Sequence, residues 1–354
     1  LGNIYISQFQ QILPMFVQIY KFVSGAINQV PIESPQRRLL MNIKASILEL
    51  LSTAINMINR QDFIVETVFP LAMDYFLPEY AQNENGRSPS VLTLFGSLTS
   101  KLSAEISQNL PTILSSLFSP TLQYLTDYSE NFDFWLSFSI FLSILISRVP
   151  QFLTELNKEQ LDFFIEALKR CCNHPQVEIS ERSLMTFADM LCAFENITTI
   201  QFASDFMNCY SLDLLHFVME LMTDSIHKYA FNELMGLLRK LFSSSSIKAK
   251  KVEVFNMFTT LYPNRPPAEI GQLIESLFQT SSTYYQFKSV LRDFLIVANK
   301  YAKNDPAIYK AEKEEIEKQL EEKKEVRGLV ADSKEITDNL EQLVNLAANF
   351  EFPK

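Results

Sequence analysis

The stretch YYQFKSVLRDFLIVANKYAK, residues 284–303, sets a guanidinium beside a carboxylate, Arg292 and Asp293, inside an otherwise apolar pattern. Adjacent positions on a helix point about 100° apart, so these two side chains are expected to splay to opposite flanks and to find partners on neighbouring elements. Cys171, Cys172 and His174 are the nearest approach to a metal-ligand run. They lack the paired CxxC spacing of zinc sites, and no second ligand pair follows, so packing at a helix end is the better reading. His216 and His227 lie near apolar positions and read as structural histidines. No Gly-rich phosphate loop, GxSxG elbow or HExxH motif is present, so neither catalysis, nor a cofactor, nor a metal is expected. Charged side chains suited to binding a protein partner cluster twice. Arg37, Arg38 and Lys44 form a basic group, and Glu178, Glu181 and Arg182 a mixed one. From these, Arg38, Lys44, Glu178, Glu181 and Arg182 are taken as candidate partner-binding residues.

The elements that must carry these groups are helices. Capping residues followed by Pro at or near the first helical position recur at Ser34-Pro35, Ser88-Pro89, Asn109 before Pro111, His174-Pro175, Asn264 before Pro266 and Asp305-Pro306. Between these marks apolar residues return at helical spacing, and no strand pattern competes. Taken as hairpins, the second helices begin near residues 35, 89, 131, 176 and 228, a period of roughly 40 to 55 residues. That is the spacing of HEAT-type repeats, whose helices bury two faces because neighbours stack into one continuous core. In 284–303 the stripe Phe287, Val290, Leu291, Phe294, Leu295 and Ala298 is core, and Ile296 on its polar arc is explained by a stacked neighbour.

Composition agrees. The chain has 354 residues, 47% hydrophobic, with 29 Phe and only 7 Gly, too little Gly for a turn-rich all-β protein. A net charge of -10 disfavours a phosphate backbone as partner, since nucleic-acid affinity rests on Lys and Arg. Four cysteines make no disulfide framework and imply a reducing compartment. The apolar run FWLSFSIFLSILI, residues 134–146, falls short of a membrane span of about 20 residues and predicts a buried helix. The sequence opens at Leu1 within an amphipathic pattern and shows no signal peptide, which predicts a piece of something longer. Near the other end, KAEKEEIEKQLEEKKEVRG alternates acid and base and predicts a solvated helix.

Several stretches then carry a resemblance: the opening LGNIYISQFQQILPMFVQIYKFVSGAI, RRLLMNIKASILELL, FIVETVFPLAMDYFLPEY, MTDSIHKYAF at 222–231, and above all FKSVLRDFL. Together, over about residues 1 to 305, they resemble the C-terminal region of the exportin-1 family of karyopherins. Phe287, Lys288, Leu291, Arg292, Asp293 and Phe294 match that family's FKxxLRDFL signature. DYSENFDFW, where the family has an acidic turn containing Pro and His, and the tail from Ala331 depart from it.

The resemblance implies a non-catalytic HEAT-repeat superhelical solenoid. It implies partners too: Ran-GTP, cargo proteins bearing leucine-rich export signals, and Phe-Gly nucleoporins, with shuttling between nucleus and cytoplasm. The family's export-signal groove and its reactive cysteine lie upstream of the repeats in this chain, so none of the four cysteines inherits that role. The expected organisation is an all-α solenoid over 1–303 of about six to seven hairpins, a charged helix over 304–327 matching the family's regulatory last helix, and an amphipathic tail over 328–354. Another karyopherin, or a HEAT scaffold outside transport, is the alternative.

Overall fold

The computed structural model describes residues 2–197, 200–223, 227, 230–301 and 314, and among them every regular element is a helix. The charged helix expected over 304–327, apart from Glu314, and the tail over 328–354 lie outside the described residues. The chain divides into two compact units, Leu1–Val254 and Phe255–Lys354.

In the first unit the longer helices are α1 (Gly2–Ile27), α2 (Pro35–Met57), α3 (61–82), α4 (Ser90–Lys101), α5 (Ser103–Tyr124), α6 (Phe132–Arg148), α7 (Lys158–Cys172), α8 (Val177–Ile197), α9 (Ile200–Thr223) and α10 (Phe231–Ser243). The second helices of the hairpins therefore begin at residues 35, 90, 132, 177 and 231, close to the spacing read from the sequence. They form a layer in which α2 packs on α4, α4 on α6, α6 on α8, and α8 on α10. This is a HEAT-like stack. The apolar run of α6 is explained by it: with α4 on one side and α8 on the other, Trp135, Phe138, Phe141, Leu142, Leu145 and Ile146 are all buried. No helix among the described residues is long and apolar enough to cross a membrane.

Local chemistry sets the helix boundaries. The Ser34 hydroxyl accepts from Arg37 N at 3.2 Å and Pro35 takes the first helical position of α2. Asn157 and Gln160 form a reciprocal capping box at α7. Asn131, before α6, adopts a left-handed backbone with φ 55°, which Asn tolerates better than most residues. One helix is less regular than its periodicity predicts. Within α3 the segments Ile64–Val68 and Ala72–Phe76 are π-helical, each followed by an α-turn with Pro at its start, Pro70 and Pro78. Proline cannot donate the usual hydrogen bond, and widening the helix by one residue accommodates it.

The second unit holds most of α11 (Lys251–Leu261), with α12 (Pro267–Thr280) packed on α13 (Tyr284–Tyr301). Phe287, Leu291, Phe294, Leu295 and Ala298 of α13 are buried as expected, and Tyr262 meets Phe294 edge-on at 5.0 Å between ring centroids.

The expected splaying of Arg292 and Asp293 is not what forms. Arg292 Nε and Nη2 both donate to Asp293 Oδ1, at 3.2 and 3.1 Å, and Nη2 also donates to Ser289 Oγ at 3.0 Å. A wheel fixes only the Cα–Cβ directions, and the long arginine side chain curls back across about 100° of helix surface to reach its neighbour. Burial is unequal: the Arg292 side chain is 5% exposed and that of Asp293 49%. Replacing Arg292 by Ala is expected to cost about 1–3 kcal/mol of stability. Asp293→Asn, which keeps an acceptor oxygen at a half-exposed position, should cost under about 1. Equal losses in urea unfolding would refute this asymmetry.

Candidate partner-binding surfaces

The basic group at the start of α2 splits into two kinds of residue. Lys44 is fully buried; its Nζ lies 2.6 Å from Glu79 Oε1 and donates to the Gly86 carbonyl. Glu79 also accepts from the Tyr20 hydroxyl at 3.0 Å and from Asn83 Nδ2 at 2.9 Å. Burial pushes the Lys44 ammonium below its ordinary pKa, and the Glu79 carboxylate opposes that shift. Burial, and then the same carboxylate, push the Tyr20 hydroxyl up. Arg37 is buried as well, donating from Nη1 to the carbonyls of Ile27 and Val30, each at 3.2 Å, and from Nη2 to that of Asn85.

Lys44 therefore leaves the set of surface candidates, and Arg38, which is exposed, stays. The sign was in the spacing. Positions 37, 44, 48, 51 and 55 lie on one apolar stripe of α2, with the two cations inside it.

On α8, Glu178 pairs with Arg182 across one turn at 3.6 Å, with side chains 60% and 38% exposed. Partial burial and then the Glu233 carboxylate of α10 push the Glu181 carboxyl up. Arg182 Nε is buried with no hydrogen-bond acceptor among the described residues. Since α8 belongs to the layer of second helices, Glu178, Glu181 and Arg182 remain accessible on that layer, together with Met185, which is 58% exposed.

Cys171, Cys172, His174 and His227 are packing sites. Cys171 and Cys172 are fully buried, and burial pushes the Cys171 thiol up to about 12, which makes it a poor nucleophile or ligand. Among the described residues no group of three His, Cys, Asp or Glu could hold a metal ion. His227 is buried, whereas the His216 side chain is 42% exposed and lies 3.4 Å from Glu220, so apolar neighbours in sequence did not mean full burial there.

His174 is buried against Tyr128 and Trp135, ring centroids 5.4 and 5.0 Å away. Its Nδ1 accepts from Gln176 N at 3.0 Å, which assigns the ring proton to Nε2. Burial holds its pKa down, from 6.5 to about 4. Between these two values the unfolded chain binds the proton and the folded chain does not, so the contribution of His174 to stability falls as pH drops from 6.5 to 4 and is constant below. In His174→Gln the decline of the thermal midpoint across that window should be shallower. An unchanged slope would refute the assignment.

One apolar cleft lies between first helices of successive hairpins. Leu114, Ser115, Phe118 and Ser119 of α5 face Gln160, Phe163 and Phe164 of α7 around about 120 Å³. Phe118 stacks on Phe164 at 5.9 Å and meets Phe138 edge-on at 5.2 Å, while Phe163 stays 39% exposed at the mouth.

Comparison with known proteins gives a consistent result. A family model described as CRM1 C terminal matches residues 8–303. Protein EXPORTIN 1B of Arabidopsis thaliana is 25% identical over 372 residues, covering 96% of this chain and 34% of that protein. Exportin-1 of Schizosaccharomyces pombe is 24% identical, covering 84% of this chain and 30% of that protein. Exportin-1 of Dictyostelium discoideum is 24% identical, covering 93% and 33%. The chain thus spans about a third of the length of the curated relatives it matches.

Proposed function

The chain belongs to the CRM1 C-terminal family, and from that premise we propose that it serves as the C-terminal part of a nuclear export receptor. In this reading it is a non-catalytic protein-binding stack that works with Ran-GTP on cargo bearing leucine-rich export signals and shuttles between nucleus and cytoplasm. The observation that carries it is the family match over residues 8–303, which runs through one hairpin after another rather than resting on a short motif. Arg38, Glu178, Glu181 and Arg182 are the accessible charged side chains offered to a protein partner. The segment 304–327 is assigned the regulatory part that the resemblance implies.

The test is replacement. A fission-yeast exportin-1 whose C-terminal third is exchanged for this chain should carry a leucine-rich reporter out of the nucleus. Retention of the reporter, with the chimera folded and present at normal level, would overturn the reading.

The cleft between α5 and α7 is the place proposed for Phe-Gly segments. A phenyl ring is a compact anchor, and Phe118, Phe163 and Phe164 offer it aromatic walls. Phe-Gly peptides should give weak saturable binding that Ser-Gly peptides do not, and Phe163→Ser should weaken it about tenfold. Identical titrations of wild type and Phe163→Ser would refute this placement.

A further inference from the structure

A second cleft, of about 500 Å³, is polar and has no assigned role. One wall is a single face of α1, with Lys21, Ser24 and Gly25, continued by Asn28 just past its end; the other is the second half of α3, with Asp74, Tyr75, Glu79 and Gln82 among its residues. Its floor holds a polar atom without a bond. Ser24 is only 5% exposed, and its Oγ makes no hydrogen bond among the described residues. It lies near enough to the Tyr20 hydroxyl to favour that group's ionised form, but its geometry falls short of a hydrogen bond to the Tyr20 oxygen, and the Tyr20 proton goes to Glu79. A buried hydroxyl left so costs stability, and a ligand that reaches it recovers the loss.

Two further observations say what reaches it. At Gly25 an added Cβ would meet nothing within 4 Å, so no packing inside the chain requires glycine at this helical position, where it is disfavoured. The gap leaves room for an incoming group. The opposite wall is built for a cation. The Lys21 ammonium sits over the Tyr75 ring at 4.7 Å, Asp74 is exposed with no ion pair among the described residues, and Glu79 Oε2 accepts only from Tyr20. An ammonium of the chain itself thus holds the place where an outside cation would rest.

We propose that this cleft binds an arginine side chain presented by another polypeptide, with the guanidinium over Tyr75, its donors shared among Asp74, Glu79 and Ser24, and Lys21 displaced to solvent. Arginine suits the site better than lysine because its flat guanidinium stacks on an aromatic face while five N–H groups serve several acceptors at once. The proposal is independent of the nuclear-export reading.

The seven glycines of the chain make the test simple. The 354-residue chain labelled with 15N only at glycine is titrated with a blocked Gly-Arg-Gly peptide and with its citrulline counterpart, which keeps the shape and loses the charge. The Gly25 signal should shift saturably with arginine and not with citrulline. Asp74→Asn should weaken binding about fivefold, and Lys21→Met should tighten it about as much. Glu159→Gln, on α7 and also exposed, should change nothing. No shift at Gly25, an equal shift with citrulline, or equal weakening by Glu159→Gln and Asp74→Asn would each overturn the proposal, the last by reducing it to attraction toward an acidic protein.

Discussion

Lys44→Met is expected to lower the stability of the first unit by about 3–5 kcal/mol, although a surface lysine at the start of a helix would cost almost nothing. The methionine keeps the aliphatic stem of Lys44, so packing changes little. What it removes is the only cation within 4 Å of the Glu79 carboxylate among the described residues. The side chains of the pair are 0% and 11% exposed, and a charge left alone at that depth is far more costly than the pair was stabilising. Glu79 would keep its bonds from Tyr20 and Asn83, which offset part of the loss. The double variant Lys44→Met/Glu79→Gln should therefore recover most of it, because a neutral amide needs no counter-charge and its one oxygen still accepts from Tyr20 or Asn83. Urea unfolding of the two variants decides the matter. A single variant within about 0.5 kcal/mol of wild type would mean that water reaches the pair and screens it.

The contrast between Lys44 and Arg38 shows where sequence reading reached and where it stopped. Most helix starts were legible because their causes are local: Ser34 and Pro35 are adjacent, and Asn157 and Gln160 are one turn apart; Asn109 before Pro111 marks no start, since Pro111 lies inside α5. The hairpin period was legible because stacking demands apolar residues on two faces of each second helix, which α6 displays along its length. The partners of buried cations were not. Lys44 meets a residue 35 positions away, and Arg37 meets a carbonyl 48 positions away; nothing local distinguishes such cations from solvated ones except their place in an apolar stripe. The π turns of α3 were hidden for a related reason, since Pro70 and Pro78 announce a disturbance without saying whether the helix will break or widen. With Arg292 the error ran the other way. Helix geometry was applied to side-chain tips, when it governs only where side chains begin.

Arg87 is the strongest instance of a cation serving the stack, and its charge is the lesser part of what it does. It lies between α3 and α4 and is 6% exposed. Its Nε donates to the Tyr80 carbonyl at 2.9 Å and its Nη2 to that of Ala81 at 3.0 Å, both in the last turn of α3. From Nη1 it donates to the Pro120 carbonyl and to Gln123 Oε1, each at 3.3 Å, in the last turn of α5, and the guanidinium lies 5.5 Å from the Tyr124 ring centroid. The ends of two successive first helices, where carbonyls lack intrahelical partners and the helix dipole is negative, are thus tied by one planar group. Arg87→Ala should cost about 3–5 kcal/mol, since it strands several buried acceptors at once. Arg87→Lys should recover less than half of that, because an ammonium at the end of a shorter stem cannot direct donors toward two helices together. Hydrogen exchange supplies the second readout: in Arg87→Ala the amides in the last turns of α3 and α5 should lose protection together, ahead of those in the middle of either helix. If Arg87→Lys proves as stable as wild type, the position needs only a positive charge near two helix ends, and the planar fork has no part in holding successive hairpins in register.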